Sequence, residues 1–171
     1  KVLIYGASGG VGTFAVQIAK SFGAEVTGVC STRNVEILRS IGADHIIDYT
    51  EEDLAQHKER YDLVLGVNGS NSISAYKRVL KLNGKFVHVG GSESQLYQTL
   101  FLGPFISLTG SKKISSLLQR ANQKDLNDVR ELLEIGKVKP IIDKRFKLSE
   151  ITEAFKYFQE GHAQGKVVIT L

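Results

Sequence analysis

Short apolar runs of strand length alternate along the chain with segments whose apolar residues recur at helical spacing, the pattern of a parallel sheet covered by helices. Residues 2–5, VLIY, give the first strand. In the next segment Val11, Ala15, Ile18, Ala19 and Phe22 share one helical face, and Gly23 supplies a C-terminal cap. Residues 25–30 predict a second strand, 34–41 a helix ended by Gly42, and 45–48 a short third strand. Thr50, followed by Glu51, Glu52 and Asp53, predicts a helix start, because a hydroxyl cap and first-turn acids both suit the positive end of a helix. A fourth strand is expected at 62–66, a helix at 72–82, a turn at Asn83 and Gly84, and a fifth strand at 85–90. Residues 105–110 predict a sixth strand and 114–135 a long amphipathic helix. The tail adds a strand at 140–146, a helix from 149 to about 159, and a final strand at 166–171. The expectation is an α/β fold, a doubly wound parallel sheet closed by a strand-helix-strand tail.

The first strand breaks into GASGGVG, in which Gly6, Gly9 and Gly12 stand three apart with Gly10 inserted, directly ahead of a helix. A tight strand-to-helix turn needs backbone angles that side chains forbid, and a pyrophosphate reaches the amides only where no Cβ intervenes. The open N–H groups and the dipole of the helix then attract anions. A plain loop is the competing reading of such glycines, but strand, helix and the alternation that follows all agree with dinucleotide binding. Ser8 and Val11 complete the turn. An NAD-selective site places an acid at the end of the second strand to hold the ribose hydroxyls. Here Cys30, Ser31, Thr32 and Arg33 occupy that stretch. Hydroxyls and a guanidinium suit a 2′-phosphate, so NADPH is expected ahead of NADH.

With 171 residues the chain is long enough for one domain with a substantial core. The net charge of +4 is scattered among acids, which speaks against nucleic acid as a partner, and no apolar run is long enough to span a membrane. A single cysteine, Cys30, cannot form an internal disulfide; it suits a reducing compartment, and a cytoplasmic location is expected. His45, His57, His88 and His162 share no metal-ligand spacing, so no metal site is expected. No Ser, Cys or His shows the partners of a nucleophilic centre, and no catalytic residue is assigned. None of the six tyrosines has a lysine four residues later, which excludes short-chain dehydrogenase chemistry. A methyltransferase would place an acid at the end of the second strand, where none stands.

The stretches GASGGVGTFAVQIAKSFGAEV, SIGADHIIDYTEED, NGKFVHVGG and GKVKPIIDKRFKLSEITEAFKYFQEGHAQGKVVITL resemble the cofactor-binding part of medium-chain dehydrogenase/reductases, in the zinc-independent quinone oxidoreductase (zeta-crystallin-like) branch. That resemblance implies a Rossmann-type sheet of order 3-2-1-4-5-6 over 1–171 and a missing N-terminal GroES-like substrate domain. The chain begins at Lys1 without an initiator Met and is expected to be a piece of something longer. The resemblance further implies an oxidoreductase that passes hydride from NADPH to a quinone, enone or related carbonyl compound, with the fragment alone inactive. A non-catalytic NADP(H)-sensing module is the alternative. By the same resemblance, Ser8, Gly9, Gly10 and Val11 line the pyrophosphate, Ser31 and Arg33 meet the 2′-phosphate, and Tyr49 lies beside it, though Tyr49 equally suits packing over the sheet edge. Gly66, Val67 and Asn68, with Val89, Gly90 and Gly91, lie toward the nicotinamide, and Lys166 reaches the cofactor phosphates. Relatives often carry a lysine where this chain has Val35, and commonly end their fourth strand in Asp-x-Val-Gly where this chain reads Gly66-Val67-Asn68-Gly69. The resemblance also implies a homodimer through the sixth strand. The apolar residues Leu96, Tyr97, Leu100, Phe101, Leu102 and Phe105 are expected to be partly exposed.

Overall fold

The computed structural model describes residues 1–171 except 70, 92, 119 and 162, with the backbone alone at 109. His162 therefore lies outside the described residues. Six parallel strands, β1 (Val2–Tyr5), β2 (Val26–Cys30), β3 (His45–Asp48), β4 (Tyr61–Gly69), β5 (Leu80–Gly91) and β6 (Lys113–Ser116), form one sheet in the order β3-β2-β1-β4-β5-β6. The helices are α1 (Gly12–Ser21), α2 (Val35–Ser40), α3 (Ile73–Val79), α4 (Glu93–Thr109), α5 (Gln123–Glu134) and α6 (Ile151–Gln159). β1 reads as an unbroken apolar run because it is central and covered on both faces. Leu3 and Tyr5 enter one core with Tyr76, Val79 and Phe86, while Ile4 enters the other with Val16, Val26 and Leu38. The chain runs outward from β1 through β2 to β3 and then crosses to β4 on the other side of β1. That reversal opens a crevice at the carboxyl ends of β1 and β4, where ligands of such sheets bind.

The tail, β7 (Ile142–Lys147), α6 and β8 (Lys166–Thr170), forms a separate two-stranded parallel sheet. Hydrogen bonds to α1 and to the glycine turn help hold it to the main body. The nearly buried Gln17 on α1 donates to the Lys139 carbonyl at 2.9 Å and accepts from the Lys139 N–H at 2.8 Å. Farther on, the Gly165 N–H donates to the Ser8 carbonyl at 2.9 Å, which sets the start of β8 against the glycine turn.

Several elements differ from the sequence expectation. Residues 105–109 are not a strand but the end of α4, Gly110 follows it as a bend, and β6 lies later, at Lys113–Ser116. The reason is an inverted burial pattern: Gln95 and Thr99, each 2% exposed, and Gly103 form the buried stripe, while Leu100, Phe101 and Phe105 face outward. Pro104 sits inside this helix, just after Gly103, whose bare Cα packs on the Ile114 carbonyl. The expected helix over 114–135 is cut to α5, because Ile114 belongs to β6 and Asn122 caps the helix by accepting from the Asp125 N–H at 2.8 Å. Thr50 does not start a helix. Its hydroxyl donates to Asp48, and Asp53 instead caps a short 3-10 turn at Leu54–Gln56. Asn83, at φ 64°, makes its turn inside the irregular entry to β5.

Candidate functional site

The glycine turn is built by two close approaches. Gly6 has φ 74°, and a Cβ there would collide with the Val67 carbonyl; a Cβ at Gly12 would collide with the backbone of Gly6 and Ala7. These two glycines let α1 and β4 close on the end of β1. Gly9 is different, whereas a Cβ at Gly10 would press on the Gly165 carbonyl at 3.1 Å and on Lys166. A Cβ at Gly9 would meet nothing tighter than the Gly6 carbonyl at 3.6 Å, so packing does not explain its absence. The N–H groups of Gly10 and Val11 have no acceptor among the described residues. Bare backbone, the open space beside Gly9 and the positive end of a ten-residue helix coincide there, and such a cradle fits a phosphate group. Lys166 reaches the same place from β8: its Nζ lies 3.0 Å from where a Cβ of Gly10 would stand.

A polar network joins this turn to the end of β2. Asn34 is 7% exposed; its Nδ2 donates to the Ser8 hydroxyl at 2.9 Å and to the Ser31 hydroxyl at 3.3 Å, and its Oδ1 accepts from Gln164 at 2.7 Å. Sequence reasoning missed both amides. Asn34 carried a faint signal, since it directly follows Ser31, Thr32 and Arg33, but Gln164 lies 130 positions away and only the docked tail brings it here. Arg33 lies by the same tail, where its charge acts on Tyr157.

A second cluster was also missed. Asp48 is in register with Cys30, so the neighbouring strand β3 brings an acid beside the end of β2. The Thr32 and Thr50 hydroxyls lie 2.9 Å apart, and Thr50 donates to Asp48 Oδ1 at 2.6 Å. Hydrogen bonds from Thr32 and Thr50 hold the Asp48 carboxyl below its ordinary 3.8. Thr32 therefore faces a carboxylate, and its single hydroxyl proton is committed inward. Burial, reinforced by Asp48, pushes the Cys30 thiol up to about 11, which leaves it an inert core filler.

Tyr49 is 52% exposed and stacks on Tyr5, with ring centres 6.2 Å apart. Beside it a cleft of about 390 Å³ opens at the carboxyl ends of β1, β2 and β3, lined by Tyr5, Val29, Ile47, Tyr49 and Asn71. A larger hollow, about 610 Å³, lies at the amino ends among Lys1, Glu25, His45 and Tyr61, the end of the sheet that such folds do not use for ligands. Asn68, at φ 52°, comes together with Gly90 and Gly91 where β4 and β5 end. A Cβ at Gly90 would meet nothing within 4 Å, so this end too leaves room.

Comparison with known proteins decides the lineage. A family model described as zinc-binding dehydrogenase matches residues 41–169. The chain belongs to this family. Within it, the chain has the cofactor-binding fold of medium-chain dehydrogenase/reductases and quinone oxidoreductase relatives. It is 36% identical over 200 residues to the mitochondrial NAD(P)H oxidoreductase RTN4IP1 of Bos taurus, covering 100% of this chain and 48% of the relative. It is 32% identical over 172 residues to the chloroplastic NADPH-dependent alkenal/one oxidoreductase of Arabidopsis thaliana, covering 98% of this chain and 40% of the relative. The solved quinone oxidoreductase from Coxiella burnetii superimposes with a TM-score of 0.85 at 29% identity, over 99% of this chain and 52% of that one. The chain thus spans about half the length of the relatives it matches. The family's name implies zinc, but among the described residues no three His, Cys, Asp or Glu side chains gather as a ligand set. These residues do not fit a metal centre.

Proposed function

We propose that this chain is the NADPH-binding domain of an oxidoreductase that transfers hydride to a quinone, enone or related carbonyl compound. The observation that carries the reading is the cradle at the start of α1, at the carboxyl end of β1: the N–H groups of Gly10 and Val11, without an acceptor among the described residues, beside the Cβ-free Gly9. Membership of the dehydrogenase family and relatives named NAD(P)H oxidoreductase and NADPH-dependent alkenal/one oxidoreductase support the cofactor class. The cofactor supplies the hydride when bound; the chain binds and orients it. In this reading the amides of Gly10 and Val11 hold the pyrophosphate between Gly6 and Gly12, with Ser8 and Lys166 beside them. Ser31 and Arg33 meet the adenosine 2′-phosphate, Tyr49 borders it, and Thr32 acts through Asp48 instead of as a phosphate donor. Asn68, Val89, Gly90 and Gly91 wall the nicotinamide end.

The substrate domain belongs to the half of such relatives that this chain does not span. The free edge of β6, flanked by the exposed Leu117 and Leu118, is the seat of a homodimer in the same reading. The single buried cysteine accords with a reducing compartment, cytoplasmic or inside an organelle.

Titration with NADPH and NADH tests the proposal. Saturable binding with NADPH the tighter is expected; binding of neither overturns the reading, and equal affinity overturns the 2′-phosphate assignment. Oxidation of NADPH by a quinone in the full-length protein tests the reaction, and tight binding without turnover would favour the sensing module.

A further inference from the structure

We infer that Asn34 is a specificity-determining positioning residue, which turns the Ser31 hydroxyl into a donor for the adenosine 2′-phosphate. The inference rests on the proposed NADPH site and adds to it the group that sets its hydrogen-bond polarity. A serine hydroxyl has one proton and two lone pairs. Asn34 Nδ2 donates to Ser8 Oγ at 2.9 Å and to Ser31 Oγ at 3.3 Å, so at both serines a lone pair is used and the proton is left over. A phosphate accepts hydrogen bonds and offers none, so a serine serves it only with its proton free. Thr32 is the built-in contrast: next in sequence to Ser31, its proton is spent on the Asp48 and Thr50 cluster.

The orientation of Asn34 is itself held. Its Oδ1 accepts from Gln164 Nε2 at 2.7 Å, its backbone N–H donates to the Ser31 carbonyl at 2.9 Å, and the side chain is almost wholly buried. Gln164 precedes Gly165 and Lys166, so the same amide couples the end of β2, the glycine turn and the cation that roofs it. A carboxylate in place of this amide would accept from both serines, draw their protons inward and add a negative charge. The Gln164 bond and the residue's shape would survive.

Asn34→Asp in the full-length protein is the test, with affinities for NADPH and NADH measured side by side and thermal unfolding as the control of folding. The expected result is a loss of NADPH affinity at least about tenfold larger than the loss for NADH, because only NADPH carries the 2′-phosphate. Ser31→Ala, a partly exposed change, is expected to lower the NADPH to NADH preference by itself. It should add little in the Asn34→Asp background, where the Ser31 proton is already turned inward. Equal losses for the two cofactors, or an unchanged preference in either variant, would overturn the inference while leaving the dinucleotide site standing. Failure of the unmodified protein to bind either cofactor would overturn both. Should Asn34→Asp not fold, Asn34→Ala, which removes the Nδ2 donor without adding a charge, carries the same comparison: a larger loss for NADPH than for NADH is expected, and equal losses overturn the inference.

Discussion

Asp48 shows at the scale of single residues how an environment sets a charge. Its carboxylate is held ionised by the Thr32 and Thr50 hydrogen bonds and lies beside the end of β2, close to where a 2′-phosphate is proposed to bind. Like charges repel, so this acid opposes the preference that Ser31 and Arg33 create. Asp48→Asn should therefore raise the NADPH to NADH affinity ratio several-fold in a paired titration; an unchanged or lowered ratio would show that the phosphate binds elsewhere. The glycine turn was legible in sequence because its chemistry is local, with strand, turn and helix written within a dozen residues. Asp48, Asn34 and Gln164 were not. The first enters through the register of two parallel strands, and the last two meet across 130 positions of chain, so no spacing rule connects them.

Among the elements, β1 to β5 were legible as apolar runs, and α1 in its place though not in its face, since it buries Thr13, Val16 and Gln17 while Val11 and Phe22 of the expected face lie open. α4 was not, since its buried stripe is polar or small and its apolar residues face out, which reverses the signal on which periodicity depends. β5 carries a testable consequence of burial. His88, 5% exposed and with no partner for its Nε2 among the described residues, is held below the ordinary 6.5 by desolvation. The unfolded chain takes up this proton as pH falls through 6.5 while the folded chain resists, so the contribution is full above 6.5 and fades below it. Denaturant unfolding of the protein should lose stability over that range by at most about 1.4 kcal/mol per pH unit, the limit for one proton. His88→Gln should flatten the curve, and an equally steep curve in the variant would assign the effect to other groups.

For the whole molecule, α4 packs beside β6, and both α4 and the residues just after β6 expose large apolar side chains. Phe101 is 77% exposed, Leu108 85% and Leu118 79%, and large apolar side chains left this open near a sheet edge suit an interaction surface. β6 ends the sheet with an unpaired edge, and such an edge invites a further strand. Sedimentation of the protein should accordingly show self-association, weakened at least about tenfold by Leu118→Asp, which places a charge at that rim. A monomer at all concentrations, or a dimer indifferent to the substitution, would move the interface elsewhere.

The central claim is that the bare amides between β1 and α1 hold a phosphate of the cofactor. Gly9→Ala tests it most directly, because the added Cβ meets nothing in the protein closer than the Gly6 carbonyl at 3.6 Å and stands beside the open amides. The account predicts an unchanged melting temperature together with loss of NADPH binding; a variant that binds NADPH as tightly as the unmodified protein would contradict it.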